Sequence, residues 1–160
     1  GRTRAQMYKG KADWTLISRV KNNPRMIIPI FGNGDVDSPE KARIMRDKYG
    51  LDGAMIGRAS IENPWFFKQV KEYLESGNLS KGPPLQERIT IAKRHLEMSI
   101  KWKGERLGLL ETRRHYSNYF KGLTNFKPYR TRLVTGETIP EVMSVFNELE
   151  ERTEILEATV

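Results

Sequence analysis

Two short apolar runs that each end in glycine limit most strongly what this chain can become. The first is Ile28-Pro29-Ile30-Phe31-Gly32-Asn33-Gly34-Asp35, and Asp52-Gly53-Ala54-Met55-Ile56-Gly57-Arg58 follows some twenty residues on. Between them, Asp37-Ser38-Pro39-Glu40 carries a capping residue, proline at the first helical position and an acid in the first turn. The helix it opens is predicted to run to about Lys48 and to close on Gly50. Trp14, Ile17 and Val20 recur at helical spacing over residues 12–20. Asn63-Pro64 starts a third helix, with Trp65, Phe66, Val70, Tyr73 and Leu74 on its apolar side and Gly77 as its stop. Residues 12–76 therefore read helix, strand (27–31), helix, strand (54–56), helix, the order of a parallel sheet with crossover connections. Two parallel strands alone leave edges open. The expectation is that residues 1–78 are the later part of a larger sheet and that the chain begins in mid-fold.

Residues 76–84, Ser-Gly-Asn-Leu-Ser-Lys-Gly-Pro-Pro, form the clearest boundary, with the linker placed at 79–84. Beyond it strand signals fade. Residues 86–102 and 105–120 have helical patterns, with Ile89, Ala92, Leu96 and Ile100 along one face. Met98 and Trp102 are expected to pack inside. A loop at 122–127, a short basic stretch at 128–133 and an acidic amphipathic helix at about 140–152 complete a small helical bundle assigned to 85–160.

The 160 residues, 38% of them hydrophobic, suffice for one ordinary domain or two small ones. No apolar run approaches the ~20 residues of a membrane span, so neither a membrane partner nor a signal peptide is expected. Cysteine is absent, which removes disulfides, cysteine metal sites and thiol nucleophiles, and fits a cytoplasmic location. No spacing of His with Asp or Glu predicts a metal site. The formal net charge of +8 makes RNA a candidate partner. Residues 81–133 hold 13 Lys/Arg against 4 Asp/Glu, while residues 134–160 hold 1 against 7. That is one basic face with an acidic end, or else a basic surface kept for solubility.

Glycine directly after a strand lets backbone N–H groups approach a ligand, because no Cβ intervenes. Two such turns on neighbouring parallel strands form a phosphate cradle, as after strands 7 and 8 of (β/α)8 barrels, and Arg58 adds a charge-assisted contact. The alternative is that Gly32, Gly34 and Gly57 only permit tight turns. In the helical part Arg113, Arg114, His115, Tyr116, Tyr119, Lys121, Lys127, Tyr129, Arg130 and Arg132 mix cations with rings, as RNA recognition requires. Arg113, Tyr116 and Phe120 share a stripe expected to face the core in part; Arg114, Asn118 and Lys121 share the next, expected to meet RNA. Tyr116, Tyr119 and Phe120 are read as core, His95 as structural, and His115 as either packing or a phosphate contact.

Four motifs carry a family resemblance: GRTRAQMYKGKADW (1–14), IPIFGNGD (28–35), DGAMIGR (52–58) and NPWFF (63–67). With ETRRHYSNYFKGL (111–123), they resemble the tRNA-dihydrouridine synthases, closest to the bacterial B-type branch. The resemblance implies the last part of an FMN-binding TIM barrel followed by a helical tRNA-binding domain. It implies that reduced FMN, recharged by NADPH, reduces the C5–C6 bond of specific tRNA uridines to give 5,6-dihydrouridine. Asn33, Gly34, Asp35, Gly57 and Arg58 would then contact FMN, chiefly its phosphate and ribityl chain. Arg2 and Arg4 belong to a motif that normally opens with a histidine, which would precede Gly1, and both are grouped with Arg114, Lys121 and Arg130 as RNA-binding. The family's proton donor is a cysteine on an earlier strand, so no catalytic residue is expected here and the chain alone is expected to be inactive. Self-association through the exposed sheet edge is a further expectation. Two other readings stay open: an RNA-binding module without catalysis, and another FMN- or sugar-phosphate-binding barrel oxidoreductase.

Overall fold

The computed structural model describes residues 2, 4–7, 9–153 and 156. They fall into two compact units, Gly1–Lys81 and Gly82–Val160. The first unit runs through a short 3-10 turn (Arg4–Gln6), α1 (Thr15–Lys21), β1 (Phe31–Asn33), α2 (Pro39–Tyr49), β2 (Gly53–Met55), α3 (Arg58–Glu62) and α4 (Phe66–Ser76). In α2 the local signals decide: the Ser38 hydroxyl accepts from Lys41 N, Pro39 is the first residue, and Gly50 closes the helix at φ +63°.

The first strand is shorter than expected and lies further along the chain, and the second keeps its length but begins one residue earlier. Ile27 and Ile28 are exposed and lie outside β1, which replaces the strand predicted at 27–31. Apolar composition suggested a strand there, but Pro29 has no N–H, and pairing starts only where Asp52 clamps Ile30. Asp52 N donates to Ile30 O at 3.1 Å, and its carboxylate accepts from Ile30 N at 2.7 Å and from Lys21 Nζ. β1 and β2 then run parallel, with Phe31 opposite Gly53, Gly32 opposite Ala54 and Asn33 opposite Met55. β2 is Gly53–Met55 in place of the predicted 54–56, and α3 is a helix that periodicity did not mark.

Trp14, Val36, Ala42, Leu51, Phe66 and Val70 make the core of this unit. The Trp14 ring lies behind β1: a Cβ on Gly32 would overlap it and come within 2.5 Å of Leu51 Cδ1. Trp14 Nε1 also donates to Gly34 O at 2.9 Å, so one side chain both fills the core and fixes the turn.

The second unit contains α5 (Leu85–Lys103), α6 (Glu105–Tyr119), α7 (Lys127–Thr135) and α8 (Ile139–Glu151). α5 lies against α6 so closely that a Cβ on Gly108 would come within 2.6 Å of the Ile100 backbone. α7 occupies the stretch expected to be merely basic; its Lys and Arg content hides Tyr129 and Leu133, four apart and both buried. Thr138 and Glu141 form a capping box at the start of α8. Tyr116, Tyr119 and Phe120 are buried, with the Tyr116 ring edge-on to Phe146 at 5.5 Å. The expectation for Met98 and Trp102 fails: both are exposed, at 48% and 79%. They follow Arg94 on the side of α5 opposite the buried row Leu85, Ile89, Ala92 and Leu96.

No helix among the described residues is long and apolar enough to cross a membrane, and no group of three metal-ligating side chains occurs among them.

Candidate functional site

The parallel register puts the end of β1 beside the end of β2, so the Gly34-Asp35 turn and the Gly57-Arg58 turn emerge side by side. Asp35 is the hinge between them. It takes a left-handed conformation, φ +54°, that turns its carboxylate back toward the chain. Arg2 Nη2 donates to Oδ1 at 2.8 Å and to Oδ2 at 2.6 Å. Ala12 N donates to Oδ2 at 2.8 Å, and Arg58 Nη2 approaches Oδ1 at 3.3 Å. Arg2 also donates to Gly10 O at 2.8 Å, tying the N-terminal segment to the strand ends. The Arg2 side chain is only 13% exposed, whereas that of Arg58 is 58% exposed.

These donors hold the Asp35 carboxyl below its ordinary range, with Arg2 the largest cause and the Ala12 amide next. The group is therefore an anion whose lone pairs are committed to the protein. The glycines divide by role. Gly34, at φ +135°, faces Ala12, whose Cβ would lie 2.5 Å from an added Cβ, and Gly32 is dictated by Trp14. Gly57, unlike these two, opens outward, with nothing within 4 Å of where a Cβ would stand.

The structure thus brings Asn33, Gly34, Asp35, Gly57 and Arg58 to one end of the two-stranded sheet and adds Arg2, which sequence reasoning had grouped with RNA. The backbone of Arg4 lies in the 3-10 turn, and its side chain is outside the described residues. Sequence reasoning missed the parts of Ala12 and Trp14 in shaping these turns. A tryptophan shortly before a glycine-ended strand was the available signal, but no local pattern shows which glycine it touches.

In the second unit Arg114, Lys121 and Arg130 are exposed. Arg114 Nε donates to His115 Nε2 at 3.2 Å, and the Lys121 carbonyl accepts from Arg88 Nη1 at 3.1 Å. His115 is buried, its ring centroid 4.8 Å from that of His95, whose Nδ1 lies 2.6 Å from the Tyr119 hydroxyl. Burial holds the His95 pKa below its ordinary value, with Arg114 and Lys103 as further causes, and burial raises that of Tyr119. The two histidines and Tyr119 form a packed aromatic cluster.

The family model described as dihydrouridine synthase matches residues 1–157. The chain belongs to the dihydrouridine synthase family. It is 37% identical over 132 residues to tRNA-dihydrouridine synthase B of Pseudomonas aeruginosa, covering 82% of this chain and 39% of that protein. It is 37% identical over 130 residues to a probable tRNA-dihydrouridine synthase of Rickettsia conorii, covering 81% and 39%. With tRNA-dihydrouridine synthase B of Shewanella oneidensis the identity is 40% over 119 residues, covering 74% and 36%. These relatives put the chain in the B-type branch of the dihydrouridine synthases. The matched part spans about two-fifths of their length. The family has a TIM-barrel fold and comprises flavin-dependent oxidoreductases that modify tRNA. The mostly helical described residues, with two short parallel strands, are consistent with part of such a barrel.

Proposed function

We propose that this chain supplies the FMN-phosphate end and the tRNA-facing helices of a synthase that reduces specific tRNA uridines to 5,6-dihydrouridine at the expense of NADPH. One observation carries the reading: two parallel strand ends join through the Arg2–Asp35–Arg58 chain, with Gly57 open beside it. An anionic group fits this corner. Arg58 presents an exposed guanidinium, and Gly57 lets backbone approach without a side chain in the way. When bound, FMN supplies the hydride that reduces the uracil ring.

Asn33, Gly34, Gly57 and Arg58 would hold the phosphate and ribityl chain. Asp35 would act one step back: a carboxylate facing a phosphate repels it, but one saturated by Arg2 and Ala12 N–H orients Arg58 at small electrostatic cost. The chain has no cysteine, so the proton donor implied by the resemblance has no counterpart in these 160 residues, and the chain by itself is proposed to bind and not to reduce. The helical unit, 82–160, would grip tRNA through Arg114, Lys121 and Arg130 in a cytoplasmic setting. Pairing of the open edges of β1 and β2 with a second copy belongs to the same proposal.

Titrating the chain with FMN and following flavin fluorescence tests the cofactor half. Arg58→Ala should weaken binding by about tenfold or more, since it removes a charge-assisted contact. Equal affinity of wild type and variant would remove Arg58 from the site, and no binding by wild type would overturn the cofactor reading for this chain.

A further inference from the structure

The exposed end of the α5–α6 hairpin has no part in the function proposed above. Trp102 is 79% exposed, although an indole gains more than most side chains from burial. Met98, one turn earlier, and Arg94, two turns earlier, lie on the same stripe of α5, opposite its buried row. The chain then reads Lys101-Trp102-Lys103-Gly104-Glu105-Arg106, and Gly104, at φ +80°, turns it into α6. Arg94, Lys101, Lys103 and Arg106 are exposed here, against the acids Glu97 and Glu105. Lys103 is engaged by Glu111.

A solvated helix end needs no tryptophan. Met98, Leu107 and Leu110 are also exposed on this hairpin, but Lys101 and Lys103 flank the indole in sequence and Arg94 and Arg106 are exposed on the same hairpin, so its apolar groups are interleaved with cations. That mixture complements a polyanion that also carries flat apolar rings.

We propose that Trp102 is a stacking platform for an unpaired nucleobase of RNA, with Arg94, Lys101 and Arg106 holding the adjacent phosphates. This rests on the reading of the helical unit as RNA-binding and deepens it: that reading uses Arg114, Lys121 and Arg130 as charge, and Trp102 adds a grip on a base. Stacking on an aromatic ring accepts any base, so the platform holds a loop or a single-stranded end without reading its sequence. Trp14 is buried and Trp65 half-buried, so Trp102 is the most exposed of the three tryptophans and its emission reports the stacking.

The test is a titration of the full chain with unmodified tRNA and, separately, with single-stranded oligouridine, at several salt concentrations. RNA should quench the part of the emission that Trp102→Phe removes. Trp102→Ala should weaken binding about five- to hundredfold with the salt slope unchanged, because every cation that meets a phosphate is kept. Trp102→Phe should recover most of the affinity, and Trp102→Leu should not. Lys101→Gln should weaken binding and lower the slope by about one. The side chain is largely exposed, and an unchanged melting curve for Trp102→Ala would verify that the fold is kept. Wild-type affinity in Trp102→Ala overturns the platform and leaves the wider RNA reading intact. Failure of the wild type to bind either RNA overturns both. Self-association without RNA that disappears in Trp102→Ala overturns the platform and gives this face to a second copy.

Discussion

Gly32 shows how one residue can be read for the wrong reason and still be indispensable. Its place after an apolar run suggests a backbone bared for a ligand, yet what fills its missing side chain is Trp14, with Leu51 beside it. Gly32→Ala should therefore lower stability by about 1–3 kcal/mol, as overpacking does, measured by chemical unfolding of the first unit. FMN affinity should fall only as far as the fold loosens. Gly57 is the opposite case, open where a ligand could stand and free of any neighbour that demands glycine. Asp35 is a third case. Its folded pKa is depressed, so its contribution is complete above the unfolded carboxylate value near 3.8 and is lost as pH falls through the lower folded value. Its partners Arg2 and Ala12 lie 33 and 23 positions away, beyond any local motif.

Among elements, α2 was legible to within a residue because its stops are local: Ser38, Pro39 and Gly50 act on the backbone beside them. β1 was not, because a strand exists only where another strand offers hydrogen bonds, and Asp52 decides where that begins. α7 was missed because its buried pair, Tyr129 and Leu133, is outnumbered by cations. The α5–α6 packing holds the cluster of His95, His115 and Tyr119, faced by Arg114 and Lys103. A histidine that resists protonation when folded leaves stability undiminished above the unfolded pKa of 6.5 and erodes it as pH falls below that, down to the lower folded value. The melting temperature of the second unit should therefore drop across the pH interval just below 6.5, and His95→Gln should flatten that drop. A wild-type curve flat across this interval would show that burial does not perturb His95.

For the whole molecule, charge is the property the sequence states most directly. Residues 81–133 carry 13 cations against 4 acids, and the structure leaves Arg114, Lys121 and Arg130 exposed within that stretch. Replacing all three by Glu should weaken tRNA binding and flatten its logarithmic salt dependence by about one unit for each phosphate no longer neutralised. Unchanged affinity at low salt would remove these three from the RNA surface. The sequence by itself determined the ends of α2, the basic stretch and the family, because capping, charge and motif order are written in adjacent residues. Only the tertiary structure decided that Asp35 joins Arg2 to Arg58, that Gly32 answers to Trp14, and that Trp102 faces water. Each of those outcomes depends on which distant surface arrives opposite a side chain, and linear spacing carries no measure of that.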